Sequence, residues 1–174
     1  RGRTLVDVLR SIASGYLAGT PNRIRVDHAS GLVWSPSHFT WMDTNHPAGT
    51  PREGYPVEIQ ALWIRLLLQL AHLGVSPWDG RGESWADLAR RTRKSFETYF
   101  WLEESGWLAD CLIAGPDVPA RTAAPSNALR SNTLVPVALD LIEGERARRI
   151  VEAARQHLGI PGALRSLAPL PVLP

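Results

Sequence analysis

One segment limits the folds open to this chain more than any other: Pro56-Val57-Glu58-Ile59-Gln60-Ala61-Leu62-Trp63 and its continuation to Leu73. Proline suits the first turn of a helix, where its missing N–H leaves no bond unmade. Wound at about 100° per residue, the segment gathers Glu58, Arg65, Gln69 and His72 into one narrow polar stripe and is apolar elsewhere. A helix of that kind has to be buried on most sides. Gly74 and Pro77 end it. Other elements must wrap it, and 174 residues suffice to do so in one domain.

The wrapping elements read mostly as helices. Residues 4–18 carry Leu5, Val8, Leu9, Ile12 and Tyr16 at helical spacing, with Gly19 as a stop. Ser84-Trp85-Ala86-Asp87 resembles a capping box and opens a helix to about Leu102, with Trp85, Leu88, Phe96, Tyr99 and Phe100 on its apolar face. A fourth helix is predicted over 132–142, with Pro136 tolerable only in its first turn, and a fifth over 145–158, stopped by Gly159. Residues 20–55 and 106–125 are irregular and rich in Gly and Pro, with room for a short hairpin near Ile24–Val26 and Leu32–Trp34. Five helices that alternate between buried and amphipathic, with little strand, predict an all-α layered toroid. At ~12 residues per helix this chain would be roughly half of one.

Composition excludes several functions. Net charge is +2 despite 18 Arg, too balanced to argue for nucleic-acid binding. No run is apolar and long enough for a membrane span, and no apolar region follows Arg1-Gly2-Arg3 as in a secretory signal. The single cysteine, Cys111, reads as a buried thiol in a reducing compartment, so a cytoplasmic location is expected. His38, His46 and His72 lack metal-ligand spacing and no Gly-rich phosphate loop occurs, so neither metal nor cofactor is expected. The chain lacks an initiator Met and ends in Pro-rich sequence, which reads as a piece of a longer polypeptide.

Chemistry concentrates between Trp34 and Trp63. Two carboxylates, Asp43 in the irregular stretch and Glu58 at the helix start, stand among Trp34, Trp41 and Trp63. Indole faces stack on the C–H patches of sugars, and a carboxylic acid can protonate a glycosidic oxygen. Trp34 and Trp41 are the candidate sugar platforms; Trp63, Trp85 and Trp101 fit core positions better. Asp43 could instead cap the turn before Thr44 and Asn45. Glu58 could offset the dipole of its helix, contact sugar hydroxyls, or do both.

Four strings carry a resemblance. They are Leu32-Val33-Trp34 through Thr40-Trp41-Met42-Asp43, then Gly54-Tyr55-Pro56-Val57-Glu58-Ile59-Gln60-Ala61-Leu62-Trp63, then Phe100 to Asp110, and Leu129-Arg130-Ser131-Asn132-Thr133-Leu134. Together with Gly162-Ala163-Leu164-Arg165-Ser166-Leu167-Ala168-Pro169, they resemble, in order, the amylo-α-1,6-glucosidase domain of glycogen-debranching enzymes. The resemblance implies a single piece, residues 1–174, of an (α/α)6 barrel that hydrolyses α-1,6-linked glucose at glycogen branch points. It implies Asp43 as general acid, held protonated by burial among Phe39, Trp41 and Met42. It implies substrate contacts from Glu58, Arg130 and Asn132, and a water-activating base from a later loop after Pro174. Thr133 stands where that family usually has Gln. The expected partners are glycogen or a branched α-glucan and the remainder of the same polypeptide. The competing readings are a non-catalytic α-glucan-binding fragment and a related (α/α)6 enzyme acting on trehalose or another oligosaccharide.

Overall fold

The computed structural model describes residues 2–42, 51–77 and 82–169. The five helices predicted from periodicity are present: α1 (Leu5–Ala18), α2 (Val57–His72), α3 (Trp85–Phe100), α4 (Leu134–Ala138) and α5 (Gly144–His157). Local chemistry sets their ends. Thr4 and Asp7 form a reciprocal capping box on α1, and the Ser84 hydroxyl accepts from the Asp87 N–H at the start of α3. Pro136 lies in the first turn of the short α4, where it removes no helical bond. A 3-10 turn over Ser131–Thr133 takes up the residues before α4 that periodicity had assigned to the same helix.

The expectation of an all-α partial barrel is overturned. Among the described residues, antiparallel pairs stand between the helices: β1 (Arg25–Val26) with β2 (Val33–Trp34), β4 (Trp101–Leu102) with β5 (Trp107–Leu108), and β8 (Gly159–Ile160) with β9 (Ala163–Leu164). A three-stranded sheet is built from β3 (Gly54–Pro56), β6 (Cys111–Ile113) and β7 (Ala124–Pro125), in the order β3-β6-β7. The fold is mixed, and only the β1–β2 hairpin was legible beforehand. Strands of two or three residues are too short to display an alternation of period two.

The apolar helix is the shared wall of two cores. On one side Ala61 and Ile64 pack with Leu32, Tyr55, Phe96, Phe100 and Leu112. On the other Trp63, Leu67 and Leu70 pack with Ala13, Val33, Trp85 and Leu88. Its exposed stripe, Leu62, Arg65, Gln69 and His72, is the only face turned to solvent. Fully burying each large apolar side chain is worth about 1.5–3 kcal/mol, so a helix buried on two sides anchors the domain. Polar groups fix its register. Gln60, wholly buried, accepts from the Val33 N–H (2.7 Å) and donates to the Val33 and Pro56 carbonyls, while the Trp63 indole N–H donates to the Gly31 carbonyl (2.9 Å).

The β3–β6 register does the rest. Tyr55 faces Leu112 and Pro56 faces Cys111, and the Val57 N–H donates to the Asp110 carbonyl (3.0 Å). Gly54 has φ +131°, and a Cβ there would lie 2.1 Å from the Leu112 carbonyl oxygen. Only glycine lets the two strands approach this closely. The start of α2 is thereby pressed against the residue preceding β6, and that contact creates the site.

Candidate functional site

A buried guanidinium occupies the junction of β3, α2 and β6. Arg52 is 2% exposed. Its Nη1 and Nη2 donate to the two Glu58 carboxylate oxygens, each at 2.6 Å. Its Nε donates to Asp110 Oδ2 (2.8 Å), and Nη2 also reaches Asp110 Oδ1 (3.2 Å) and the Asp110 carbonyl (3.1 Å). A further bond runs from Nη1 to the Thr40 hydroxyl (2.9 Å). The planar fork of arginine suits this task, because it can grip one carboxylate with two parallel bonds and still present Nε to another.

Asp110 extends the cluster. Asn132 Nδ2 donates to Asp110 Oδ1 (3.0 Å) and lies 3.3 Å from the Met42 sulfur. Arg130 Nε stands 3.3 Å from Asp110 Oδ2, close enough for ion-pair attraction but not aligned as a hydrogen bond. Two arginines and two carboxylates balance in charge, which makes burial tolerable. Burial opposes the charge on Arg52, but its hydrogen bonding to Glu58 and the charges of Asp110 and Glu58 outweigh it and hold the guanidinium above its usual range. Beside it, burial pushes the Cys111 thiol well up, so it is no ready nucleophile. Besides Arg130 Nε, two polar atoms in this region have no hydrogen-bond partner among the described residues, Asn132 Oδ1 and Thr133 Oγ1, on residues 0% and 2% exposed.

The chain limbs on either side of positions 43–50 are tied together as well. Ser35 and Gly54 form an antiparallel bridge, the His38 N–H donates to the Pro51 carbonyl (3.1 Å), and the Ser37 hydroxyl donates to Glu53 Oε2 (2.9 Å). His38 and Arg52 have φ of 62° and 43°. Such angles are disfavoured for residues with a Cβ and persist only where surrounding contacts fix them.

The residues singled out from sequence fall in different surroundings. Asp43, with His46 and Trp78, lies outside the described residues. Of the three groups expected to bury its carboxyl, Met42 is 8% exposed, while Phe39 and Trp41 are 48% and 70% exposed. Trp34 is buried in the larger core, its indole N–H donating to the Ala114 carbonyl (2.9 Å) and Arg25 lying 5.1 Å over its ring. Glu58 is buried with both oxygens on Arg52, whereas Arg130 and Asn132 meet at Asp110. Arg52 and Asp110 carry the arrangement, and sequence reasoning gave neither a role. A signal existed: a lone carboxylate at the start of an apolar helix, and an Asp between Leu108-Ala109 and Cys111-Leu112, both need a buried cation.

The geometry can be set beside known proteins. A family model described as amylo-alpha-1,6-glucosidase matches residues 3–172. The chain belongs to that family. Curated relatives include the periplasmic trehalase of Escherichia coli, 27% identical over 146 residues, and that of Citrobacter koseri, 29% identical over 144 residues. These matches cover 82% and 81% of this chain, and the chain spans 24% of the length of each relative. Among solved structures, a GH78 family rhamnosidase of Bacillus sp. GL1 superposes with TM-score 0.60 at 17% identity, over 93% of this chain and 15% of that one. The neutral trehalase of Saccharomyces cerevisiae superposes with TM-score 0.55 at 16% identity, over 69% and 22%. The cytoplasmic expectation does not stand, because these curated relatives are periplasmic enzymes. Its premise was weak in physical terms: a lone cysteine has no partner within its chain in either compartment.

Proposed function

We propose that this chain is part of a glycoside hydrolase that cleaves an α-glucoside, with trehalose as the favoured substrate. The observation that carries the reading is the agreement of the family match over residues 3–172 with relatives named as trehalases along four-fifths of the chain. Trehalose joins two glucose units through both anomeric carbons, so its hydrolysis needs a proton on the shared oxygen and attack by water on one anomeric carbon.

Asp43 supplies that proton in this reading. Its place in the Thr-Trp-Met-Asp string supports the role. Trp41, largely exposed, offers an indole face for the sugar. Arg130 donates to a sugar hydroxyl, the Asn132 Oδ1 accepts from another, and the Thr133 hydroxyl accepts or donates in this reading. Glu58 and Trp34 serve the site as supports in this reading, Glu58 through its grip on Arg52. The second carboxylate that activates water is not assigned among these residues.

The second reading is hydrolysis of α-1,6-linked glucose in a branched glucan, favoured by the description of the family model. The full-length protein separates the two. Glucose release is measured from trehalose, from isomaltose and from a limit dextrin at equal concentration of glucosidic bonds. Preference for trehalose by tenfold or more in kcat/KM supports the first reading, and preference for the dextrin supports the second. Binding of all three without glucose release would overturn both.

A further inference from the structure

A cavity of about 380 Å³ opens between the end of α1, the β1–β2 hairpin and the loop that follows β6. It shares no lining residue with the Arg52 cluster. Its volume falls in the range of ligand sites, about 300–1,000 Å³. The hairpin register sets its wall. Arg25 stands opposite Trp34, so the two side chains share a face, and the guanidinium lies 5.1 Å over the indole ring. From the loop, Asp117 Oδ1 accepts from Arg25 Nη2 (2.5 Å). The Ser30 hydroxyl (2.6 Å) and the Ala120 N–H (3.4 Å) both donate to Asp27 Oδ2, which ties the hairpin to the far end of the same loop. Val26 and Trp34 add apolar lining.

These contacts hold polar groups in place and leave much of their bonding capacity unused. Among the described residues, Arg25 makes one hydrogen bond, so most of the N–H donors of its fork remain for a ligand, and Asp117 Oδ2 accepts none. An ion pair this open, with side chains 34% and 87% exposed, adds little to stability. The charged lining residues are Arg25, Asp27 and Asp117, with His28 exposed beside them. Two carboxylates against one guanidinium disfavour an anion, and the guanidinium disfavours a cation. A neutral ligand whose neighbouring groups both donate and accept is what remains, and the hydroxyls of a sugar ring do both. We propose that this cavity binds a sugar unit, with Arg25 donating to one ring hydroxyl and Asp117 accepting from its neighbour. The proposal goes beyond the cleavage reading and does not rest on it: that reading is decided by glucose released, this one by glucose retained, so either can fail alone.

Equilibrium dialysis of the full-length protein against radiolabelled glucose tests it, with Arg25→Met and Asp117→Ala as the variants and inorganic phosphate as the anionic comparison. The parent protein should hold one glucose per chain that each variant holds about tenfold or more weakly, the loss expected when a hydrogen bond to a charged group is removed. Phosphate retention should be the same in all three proteins. Equal glucose binding by the parent and both variants would overturn the proposal. So would loss of phosphate rather than of glucose, which would make the cavity an anion site. Circular dichroism checks that each variant is folded. Should Arg25→Met not fold because it uncovers Trp34, Asp117→Ala decides alone, since that side chain is largely in solvent and its removal disturbs no packing. Weakened glucose binding by Asp117→Ala then supports the proposal, and unchanged binding contradicts it.

Discussion

Arginine meets carboxylate in two very different settings in this molecule. On α5, Arg148 pairs with Glu145 and Arg155 with Glu152, each at 2.6 Å, three residues apart and in open solvent. At the head of α2, Arg52 pairs with Glu58 at the same 2.6 Å and with Asp110 at 2.8 Å, all three side chains 2–3% exposed. Distance does not separate them; water does. On α5 the partners exchange protein contacts for hydration at little difference in free energy. Around Arg52 each charge has given up its hydration, and removing one partner strands the others. The lesson is that the cluster is weak evidence of stability as a whole, yet each member is needed once the others are present.

That contrast can be attacked in order of expected effect. Asp110→Ala leaves Arg52 and Arg130 without their shared carboxylate and should destabilise the folded protein by about 3–5 kcal/mol, read from the midpoint of urea unfolding. A loss under about 1 kcal/mol would mean that water enters the junction and that its burial has been overstated. Glu58→Gln keeps the shape and one acceptor while removing the charge. It should lose about 1–3 kcal/mol by the same measurement, and a gain would contradict the account. Ser84→Ala removes only the N-cap of α3 and should cost about 1 kcal/mol.

Acid titration sharpens the comparison further. Asp7 and Asp87 sit at helix starts, and hydrogen bonds from the Thr4 hydroxyl and N–H and from the Ser84 hydroxyl hold their carboxyls below the ordinary value of 3.8. A carboxyl lowered in the folded state adds stability that is complete above its unfolded value and fades as pH falls through the folded one. Their contribution should therefore stay constant from neutrality down to about pH 4 and decline only below it, and Asp7→Asn should flatten that part of the melting-temperature profile. Smallest of all, Glu145→Gln combined with Glu152→Gln on α5 should leave the melting temperature unchanged within error at physiological salt. A clear drop would show that the exposed pairs matter more than their setting implies.

The sequence was readable where a residue's partners are near it in the chain. Helices α1, α2, α3 and α5 announce themselves by period and by caps such as Ser84 with Asp87, and Trp63 and Trp85 fell into the core as their faces required. The three-stranded sheet escaped because β3, β6 and β7 are two or three residues long and come from segments as far apart as Gly54 and Pro125. Missing it meant missing that Asp110 abuts the start of α2. Arg52, one charge in a Pro-rich stretch, drew no reading, since its partner Asp110 lies 58 positions away. Glu58 was noticed for its chemistry and its place at a helix start, but the cation that occupies both of its oxygens was not. Trp34 was taken for a sugar platform from its loop setting, and pairing of β2 with β1 carries it instead into the core.

The family is established by the match, and the reaction is the claim most in need of a direct measurement. That measurement is glucose release from trehalose by the full-length protein and by its Asp43→Asn variant, with circular dichroism confirming that both are folded. The account expects turnover by the first and a fall of about 10²–10⁴-fold in the second. Equal glucose release by the two proteins would contradict it.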